Sequence, residues 1–257
     1  MEILPADFLV LLLAALFAGM VDAAVGGGGL IQVPALFGVF PQSAPAVLFG
    51  TNKLSGIWGT AFAALAYSRK IKVEWGAAIP ASGAALLFSF AGAWVVSGFP
   101  ADLVRKGLPI ILILVAIYVF RRKDFGAAHA PHYRGSRQIA LAMLLGAVIG
   151  FYDGFFGPGT GSFLIFLFVR LFGYDFLRAS AVAKIVNVAC NFSALALFGF
   201  QGYVLWQLGL LMAFCNVAGA LVGARLALLR GNGFIRHAFL FIVSLLILKT
   251  ASDAFLR

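Results

Sequence analysis

The stretch that decides the fold is Asp22-Ala-Ala-Val-Gly26-Gly27-Gly28-Gly29, and a related stretch, Asp153-Gly-Phe-Phe-Gly157-Pro158-Gly159-Thr160-Gly161, follows in the second half of the chain. Four consecutive glycines interrupt a helix, because each costs roughly 1 kcal/mol relative to Ala in a helix interior. Long apolar segments surround both stretches. Each stretch is therefore predicted to break a helix within an apolar part of the fold.

The composition of the whole chain excludes a soluble globular protein. Of its 257 residues, 63% are hydrophobic and 11% are charged, against about 45–50% and 25% in soluble domains, and the mean hydropathy is +1.03. Segments 75–101 and 185–224 contain no Asp, Glu, Lys, Arg or His, and each exceeds the roughly 20 apolar residues that span a bilayer. A membrane β-barrel would instead show short alternating segments. The sequence predicts an all-α, polytopic membrane protein.

An internal repeat organises the chain. One constant offset of 131 residues aligns the halves without gaps, and it superimposes residue types that are scarce here: Asp22 on Asp153, Lys53 on Lys184, Trp75 on Trp206 and Arg105 on Arg236. Self-similarity at a fixed offset indicates a duplicated structural unit. We predict a first transmembrane repeat over 1–120, a polar cytoplasmic connector over 121–138 and a second transmembrane repeat over 139–257.

Each repeat is expected to contain a Gly-interrupted segment, a long helix and two further helices. The predicted ranges are 8–40, 43–67, 75–97 and 103–120 in the first repeat, and 139–172, 179–200, 204–228 and 237–255 in the second. An interrupted segment that returns to its side of entry, as a re-entrant pair or two short helices, gives inverted halves. Thirteen Lys and Arg then face the cytoplasm against four outside, which agrees with the positive-inside rule.

The alternative is that each interrupted segment crosses the membrane once. The corresponding count of Lys and Arg is ten inside against seven outside, a weaker bias for a rule that places positive loops in the cytoplasm. We favour two inverted pseudo-symmetric repeats. A single long tilted helix over 8–40 remains the competing reading.

Breaks at matching places in two repeats indicate a transporter's central site. Backbone groups freed inside the membrane need protein or a water-filled cavity as partner, and a helix that resumes after a break presents its positive end, which binds anions. We therefore predict that a small anion binds the glycines of both motifs and Thr160, namely Gly27, Gly28, Gly29, Gly159, Thr160 and Gly161. Close helix packing by small residues is the simpler reading of the same glycines.

Lys53 and Lys184 lie a few residues inside the predicted long helices. A lysine within the membrane is costly and is by default a functional candidate. The functional hypothesis joins both lysines with polar neighbours in one anion site: Thr51, Asn52 and Asn187. The structural hypothesis is that each lysine snorkels to the membrane surface or forms a fixed ion pair with Asp22 or Asp153.

The roles of Asp22 and Asp153 stay open. They are candidates for proton or cation coupling, for ion pairs with the lysines, or for hydrogen bonds to the glycine turns. Gln32, Cys190, Asn191 and Ser193 are further polar positions, which more commonly bridge helices than bind ligands.

Several function classes lack support in the sequence. The formal net charge of +10 comes from short connectors, where basic residues encode orientation, so nucleic acid is not an expected partner. No cysteine or histidine spacing typical of a metal site occurs, and no catalytic set lies in an apolar segment. We expect neither an enzyme nor a cofactor.

Three segments together resemble the sulfite exporter TauE/SafE family, also called the toluene sulfonate uptake permeases: Ala18–Pro34, Gly50-Thr-Asn-Lys53 and Gly150–Ser162. The resemblance covers nearly the whole chain. It implies an inner-membrane permease built from a duplicated unit, which moves sulfite, sulfonates or related anions. The counterpart of Gly50-Thr-Asn-Lys53 is Ala181-Val-Ala-Lys184, which keeps the lysine alone, so we expect an asymmetric site with more contributions from the first half.

The resulting prediction is a secondary transporter of small sulfur-containing or organic anions that works by alternating access at a midplane site. A passive anion channel and a non-transporting scaffold or assembly factor are the alternatives. The expected partners are the anionic substrate and the lipid bilayer. Coupling to a proton or cation and assembly into a homo-oligomer stay open.

Overall fold

The computed structural model describes residues 4–120 and 129–229, which form nine helices without a β-strand in these ranges. The helices are α1 (Pro5–Val25), α2 (Gly29–Val39), α3 (Pro45–Ser68), α4 (Trp75–Ser97), α5 (Ala101–Phe120), α6 (Gly135–Phe155), α7 (Thr160–Phe172), α8 (Phe176–Phe200) and α9 (Trp206–Leu229). The helix predicted over 237–255 lies outside the described residues, as does most of the connector.

Five of these helices, α1, α4, α6, α8 and α9, are long and apolar enough to cross a membrane. Two shorter apolar helices, α2 and α7, follow the glycine motifs. Both predicted interruptions are therefore present, and 8–40 is two helices rather than one long tilted helix. The chain is an all-α protein of the multi-pass membrane type.

The helix boundaries follow from local sequence. Pro5 and Pro45 occupy the first turns of α1 and α3, where proline fixes a helical φ and a missing N–H costs nothing. At the start of α8, the Asp175 side chain accepts the Arg178 backbone N–H at 3.0 Å, a typical N-cap. Gly26 ends α1 with φ 83° while its N–H bonds the Asp22 carbonyl, and this left-handed conformation favours glycine.

Helix α6 begins inside the segment 121–138 that is predicted to be the polar connector. Its first residue is Gly135. Its first turn, Gly135-Ser-Arg-Gln138, is polar, and helical hydrogen bonds need no apolar side chains. A polar turn can therefore extend a membrane helix beyond the apolar segment that hydropathy detects.

Close helix contacts recur at the repeat offset. A Cβ on Gly19 in α1 would lie 2.0 Å from the Asn216 carbonyl oxygen in α9, and a Cβ on Gly150 in α6 would lie 2.8 Å from Cα of Ala85 in α4. The two contacts differ by 131 residues on each side and exchange the halves. Small residues allow this close backbone approach in membrane bundles, so each half packs its first helix against the other half.

The start of α6 and the end of α7 lie at the same end of the bundle. Ala130 N–H donates to the Gly173 carbonyl at 2.8 Å, and His132 N–H donates to the Phe172 carbonyl at 3.0 Å. Glu74, which precedes α4, lies 3.6 Å from Arg178 at the start of α8. The second interrupted segment thus returns to its side of entry. Inversion of the two halves, which depends on this geometry in both repeats, stays a prediction.

Candidate functional site

The two glycine breaks meet at the centre of the bundle. Ser162 N–H in α7 donates to the Gly26 carbonyl at 3.1 Å, directly linking the breaks. A Cβ on Gly161 would lie 2.5 Å from Cα of Gly26, so only glycine allows the two main chains to approach this closely. The absence of side chains here is a packing requirement as well as a cause of the breaks.

The first break is held by residues distant in sequence. The Val25 carbonyl accepts the Ser162 hydroxyl at 2.8 Å, and the Ala23 carbonyl accepts the Tyr67 hydroxyl at 3.2 Å. The Asp22 carbonyl accepts Lys184 Nζ in addition to the Gly26 N–H. Carbonyls freed at a helix end inside a membrane need such partners because lipid supplies none.

The second break is satisfied locally. The Gly157 carbonyl accepts both the backbone N–H of Thr160 at 3.2 Å and its hydroxyl at 2.8 Å. The Pro158 carbonyl accepts the Tyr152 hydroxyl at 2.5 Å, and Gly159 accepts the Phe163 N–H at 3.0 Å. The turn over 152–163 therefore caps itself with its own side chains.

Between the breaks lies a polar cavity of about 40 Å³, room for about three water molecules or one small ion. Both halves line it. Its walls are formed by charged, amide, hydroxyl and glycine residues: Asp22, Gly26, Gly28, Gly29, Gln32, Asn52, Lys53, Gly56, Thr60, Asp153, Gly157, Gly159, Gly161, Asn187, Asn191 and Asn216.

Two helices point their amino ends at this cavity. Within the described residues, no hydrogen bond is donated by the backbone N–H of Gly29, the first residue of α2, or of Gly161 in the first turn of α7. Both glycines line the cavity. Free amides at the positive end of a helix dipole favour an anion.

Each lysine forms an ion pair with the aspartate of the other half. Lys53 in α3 pairs with Asp153, and their side chains are 3% and 2% exposed. Lys184 in α8 lies 3.1 Å from the Asp22 carboxylate, with exposures of 0% and 15%. Asp22 also accepts the Thr60 hydroxyl at 3.0 Å. The four formal charges balance, so the site has no net charge when both lysines are protonated and both aspartates are ionised.

The cavity brings together most of the residues predicted from sequence. Both aspartates line it, and so do seven of the predicted substrate-binding residues: Lys53, Asn52, Gly28, Gly29, Gly159, Gly161 and Asn187. The remaining four predicted residues do not line the cavity: Lys184, Thr51, Gly27 and Thr160.

Local hydrogen bonds explain three of these four placements. The Thr51 hydroxyl donates to the Val47 carbonyl at 2.7 Å and accepts the Leu205 N–H at 3.0 Å. The Gly27 carbonyl accepts the Leu30 N–H at 3.0 Å. The Thr160 hydroxyl is bound to the Gly157 carbonyl. These residues complete turns and helix contacts.

Seven lining residues lie outside the predicted site, three of them glycines and four of them polar: Gly26, Gly56, Gly157, Gln32, Thr60, Asn191 and Asn216. Thr60 and Asn191 occupy equivalent places at the repeat offset, and this equivalence of two polar residues could have indicated both as lining residues. Gln32 and Asn216 align with Phe163 and Ala85, so the repeat gives no hint of them. Both halves supply charged or polar lining residues, five from the first half (Asp22, Gln32, Asn52, Lys53 and Thr60) and four from the second (Asp153, Asn187, Asn191 and Asn216).

The model of the family described as Sulfite exporter TauE/SafE matches residues 11–250. The chain belongs to this family. A probable membrane transporter protein of Sinorhizobium sp. is 35% identical over 243 residues, covering 95% of this chain and 92% of the relative. The probable membrane transporter protein YfcA of Escherichia coli K12 is 33% identical over 245 residues, covering 95% and 90%.

A third relative of this TauE/SafE protein, a probable membrane transporter protein of Haemophilus influenzae, is 33% identical over 234 residues, covering 88% of this chain and 89% of the relative. No solved structure matches the chain. Together with the five candidate spans, the family and its relatives identify a multi-pass membrane transporter.

Proposed function

We propose that this TauE/SafE protein is a secondary transporter of small anions, with sulfite, sulfonates and related sulfur-containing or organic anions as its substrate class. The observation that carries the proposal is the polar cavity at which two broken helices present amides that donate no hydrogen bond within residues 4–120 and 129–229. The expectation of sulfur-containing anions comes from the family description.

Lys53 is the cation that we assign to the substrate. Its side chain lines the cavity, and it pairs with Asp153 across the two halves. An incoming anion competes with the Asp153 carboxylate for Lys53, because a buried ammonium requires one negative partner. Substrate binding would thereby exchange a contact between the halves for a contact with the substrate, and the displaced Asp153 carboxylate would bind water in the cavity that it lines.

Lys184 has a structural role in this proposal. It is fully buried behind the cavity wall and binds both the carboxylate and the main-chain carbonyl of Asp22. A cation at the carboxyl end of a helix also stabilises the helix dipole. Lys184 therefore holds the end of α1 in place while Lys53 meets the substrate.

Alternating access would follow from movement of one half against the other around the cavity. The breaks contact each other at Gly26, Gly161 and Ser162 and come close at Gly29 and Pro158, so displacement of one half would change the cavity between them. Export of a monoanion is driven by an inside-negative potential, by about 2.3 kcal/mol per charge per 100 mV. Opening must also enlarge the cavity of about 40 Å³ for organic sulfonates.

The test is uptake of labelled sulfite into proteoliposomes containing the full chain. The double variant Lys53→Met with Asp153→Asn removes the substrate's cation and leaves no unpaired charge in the membrane. We expect its uptake rate to fall at least tenfold. A rate within twofold of the parent protein would contradict the assignment of Lys53.

The matched control is Ser89→Ala. Ser89 is a buried serine of α4 that bonds the Cys190 carbonyl at 2.9 Å, outside the set of cavity-lining residues. Its uptake should stay within twofold of the parent. Counter-transport of unlabelled sulfite should accelerate uptake in the parent; linear, non-saturating flux without this acceleration would indicate a passive channel instead.

A further inference from the structure

Gln32 lies one turn into α2, on the wall of the cavity, with a side chain that is 1% exposed. Its carbonyl oxygen Oε1 accepts the Asn216 amide Nδ2 at 3.2 Å. Its amide nitrogen Nε2 is buried and has no hydrogen-bond partner in the described part of the chain. A buried donor left without a partner is costly, and native proteins seldom keep one without a purpose.

The orientation of the Gln32 amide is fixed by its neighbours. Asn216 Nδ2 also donates to the backbone carbonyl of Ala15 at 3.2 Å. A carbonyl can only accept, so the Asn216 atom facing both Ala15 and Gln32 must be the nitrogen. The Gln32 atom that receives it must then be the oxygen. The NH₂ group is consequently the part of this cavity-lining residue that has no partner in the described part of the chain.

The free amide of Gln32 shares the cavity with the helix amino ends. Gly29 N–H belongs to the same helix, one turn before Gln32, and Gly161 N–H comes from α7. α2 has 11 residues, so its positive dipole end is developed. Uncharged donors from both halves thus belong to residues that line the same cavity as Lys53.

We propose that Gln32 contacts the substrate and is a specificity-determining residue of the transporter, with Nε2 donating a hydrogen bond to an oxygen atom of a small oxyanion. This inference rests on the proposed anion-transport function and goes beyond it. Lys53 supplies the charge for any anion. Gln32 and the helix amides supply directed donors, which match the oxygen atoms of a sulfite, sulfonate or carboxylate group.

A role limited to bridging α2 and α9 makes a different prediction. The bridge uses Oε1 alone, so Gln32→Glu preserves it while replacing the donor that faces the cavity with an acceptor. If the bridge were the only role of Gln32, a correctly folded Gln32→Glu variant would keep the parent's KM for sulfite, although the buried charge lowers its stability. If Gln32 contacts the substrate, the variant would not keep this KM, because an ionised carboxylate repels an oxyanion.

The experiment measures KM for labelled sulfite in proteoliposomes at pH 8, with the parent, Gln32→Glu, Gln32→Met and the Ser89→Ala control. Correct folding of each is checked by size-exclusion profile and thermal transition. We expect KM to rise at least tenfold for both Gln32 variants and to stay within twofold for the control. Gln32→Met removes the donor without adding charge, at the cost of the bridge to Asn216, and its KM keeps the test usable if Gln32→Glu does not fold.

Two results would overturn the inference, and they are distinguishable. A KM within twofold of the parent for a correctly folded Gln32 variant, with the parent active, would reject the role of Gln32 and leave the transporter intact. A parent that neither moves nor is thermally stabilised by sulfite, methanesulfonate or acetate would reject the proposed function itself, and the role of Gln32 with it.

Discussion

The carbonyl groups freed at the two glycine breaks find their hydrogen-bond partners in different ways. Around the second break, Tyr152 and Thr160 cap the carbonyls of their own turn. Around the first break, the carbonyls of Asp22, Ala23 and Val25 are capped from other helices. The cause lies in the sequences, because Gly-Pro-Gly-Thr-Gly carries a hydroxyl whereas Gly-Gly-Gly-Gly carries no side chain.

This difference separates a self-supporting break from one that depends on tertiary contacts. The first break can keep its shape only while α3, α7 and α8 hold it. Movement of one half against the other would therefore distort the first break before the second. Substitutions of the side chains that cap the first break from other helices should lower the stability of the protein. Equivalent substitutions in the turn of the second break, which caps itself, should lower it little.

The largest effect is expected from Lys184→Met. Lys184 caps the Asp22 carbonyl and pairs with the Asp22 carboxylate, and removal of one member of a buried pair costs about 3–5 kcal/mol. The thermal transition of the purified protein in detergent should fall accordingly. Adding Asp22→Asn removes the unpaired charge and should recover part of the loss; equal transitions for the single and double variants would show that the pair is not the source of the stability.

A smaller loss is expected from Gly161→Ala, which tests the contact between the breaks. The added methyl group would lie 2.5 Å from Cα of Gly26, and overpacking of this kind costs about 1–3 kcal/mol. The matched control is Gly83→Ala in α4, where a Cβ would meet no heavy atom within 4 Å. Thermal unfolding should separate the two variants, and equal transition temperatures would mean that the breaks do not need their close approach.

The smallest effects compare one hydroxyl from each break. Ser162→Ala removes the cap on the Val25 carbonyl and should cost about 1 kcal/mol, the usual net value of a hydrogen bond. Thr160→Val should cost less, because the Thr160 backbone N–H still donates to the Gly157 carbonyl. Thermal unfolding of both variants checks the order. A larger loss for Thr160→Val would reverse the comparison.

Much of the fold could be predicted because it depends on local composition and on the repeat. The breaks at Gly26–Gly29 and Gly157–Gly161 follow from backbone propensity, and the apolar segments follow from hydropathy. The boundaries at Gly135 and Pro45 differ by a few residues from the predicted ones, because polar turns and a starting proline extend or trim a helix without changing its hydropathy.

The site was less predictable because polar atoms have several partners to choose from. Thr51 looked equivalent to Asn52 in sequence, yet its hydroxyl bonds Val47 and Leu205, and only Asn52 lines the cavity. Gln32 resembled a helix-bridging residue. Its amide bridges with one atom and leaves the other for the cavity, which no pattern in the chain encodes.

By itself, the sequence determined the all-α membrane architecture, the two helix breaks and the presence of two lysines and two aspartates in equivalent places, because glycine content, hydropathy and repetition act along the chain. Only the tertiary structure decided that Lys53 lines the cavity while Lys184 caps α1, and that the Gln32 amide nitrogen has no partner among the residues that the structure describes. Those outcomes depend on which groups lie within about 3 Å of each other across helices, where hydrogen bonds form, and sequence separation does not fix such distances.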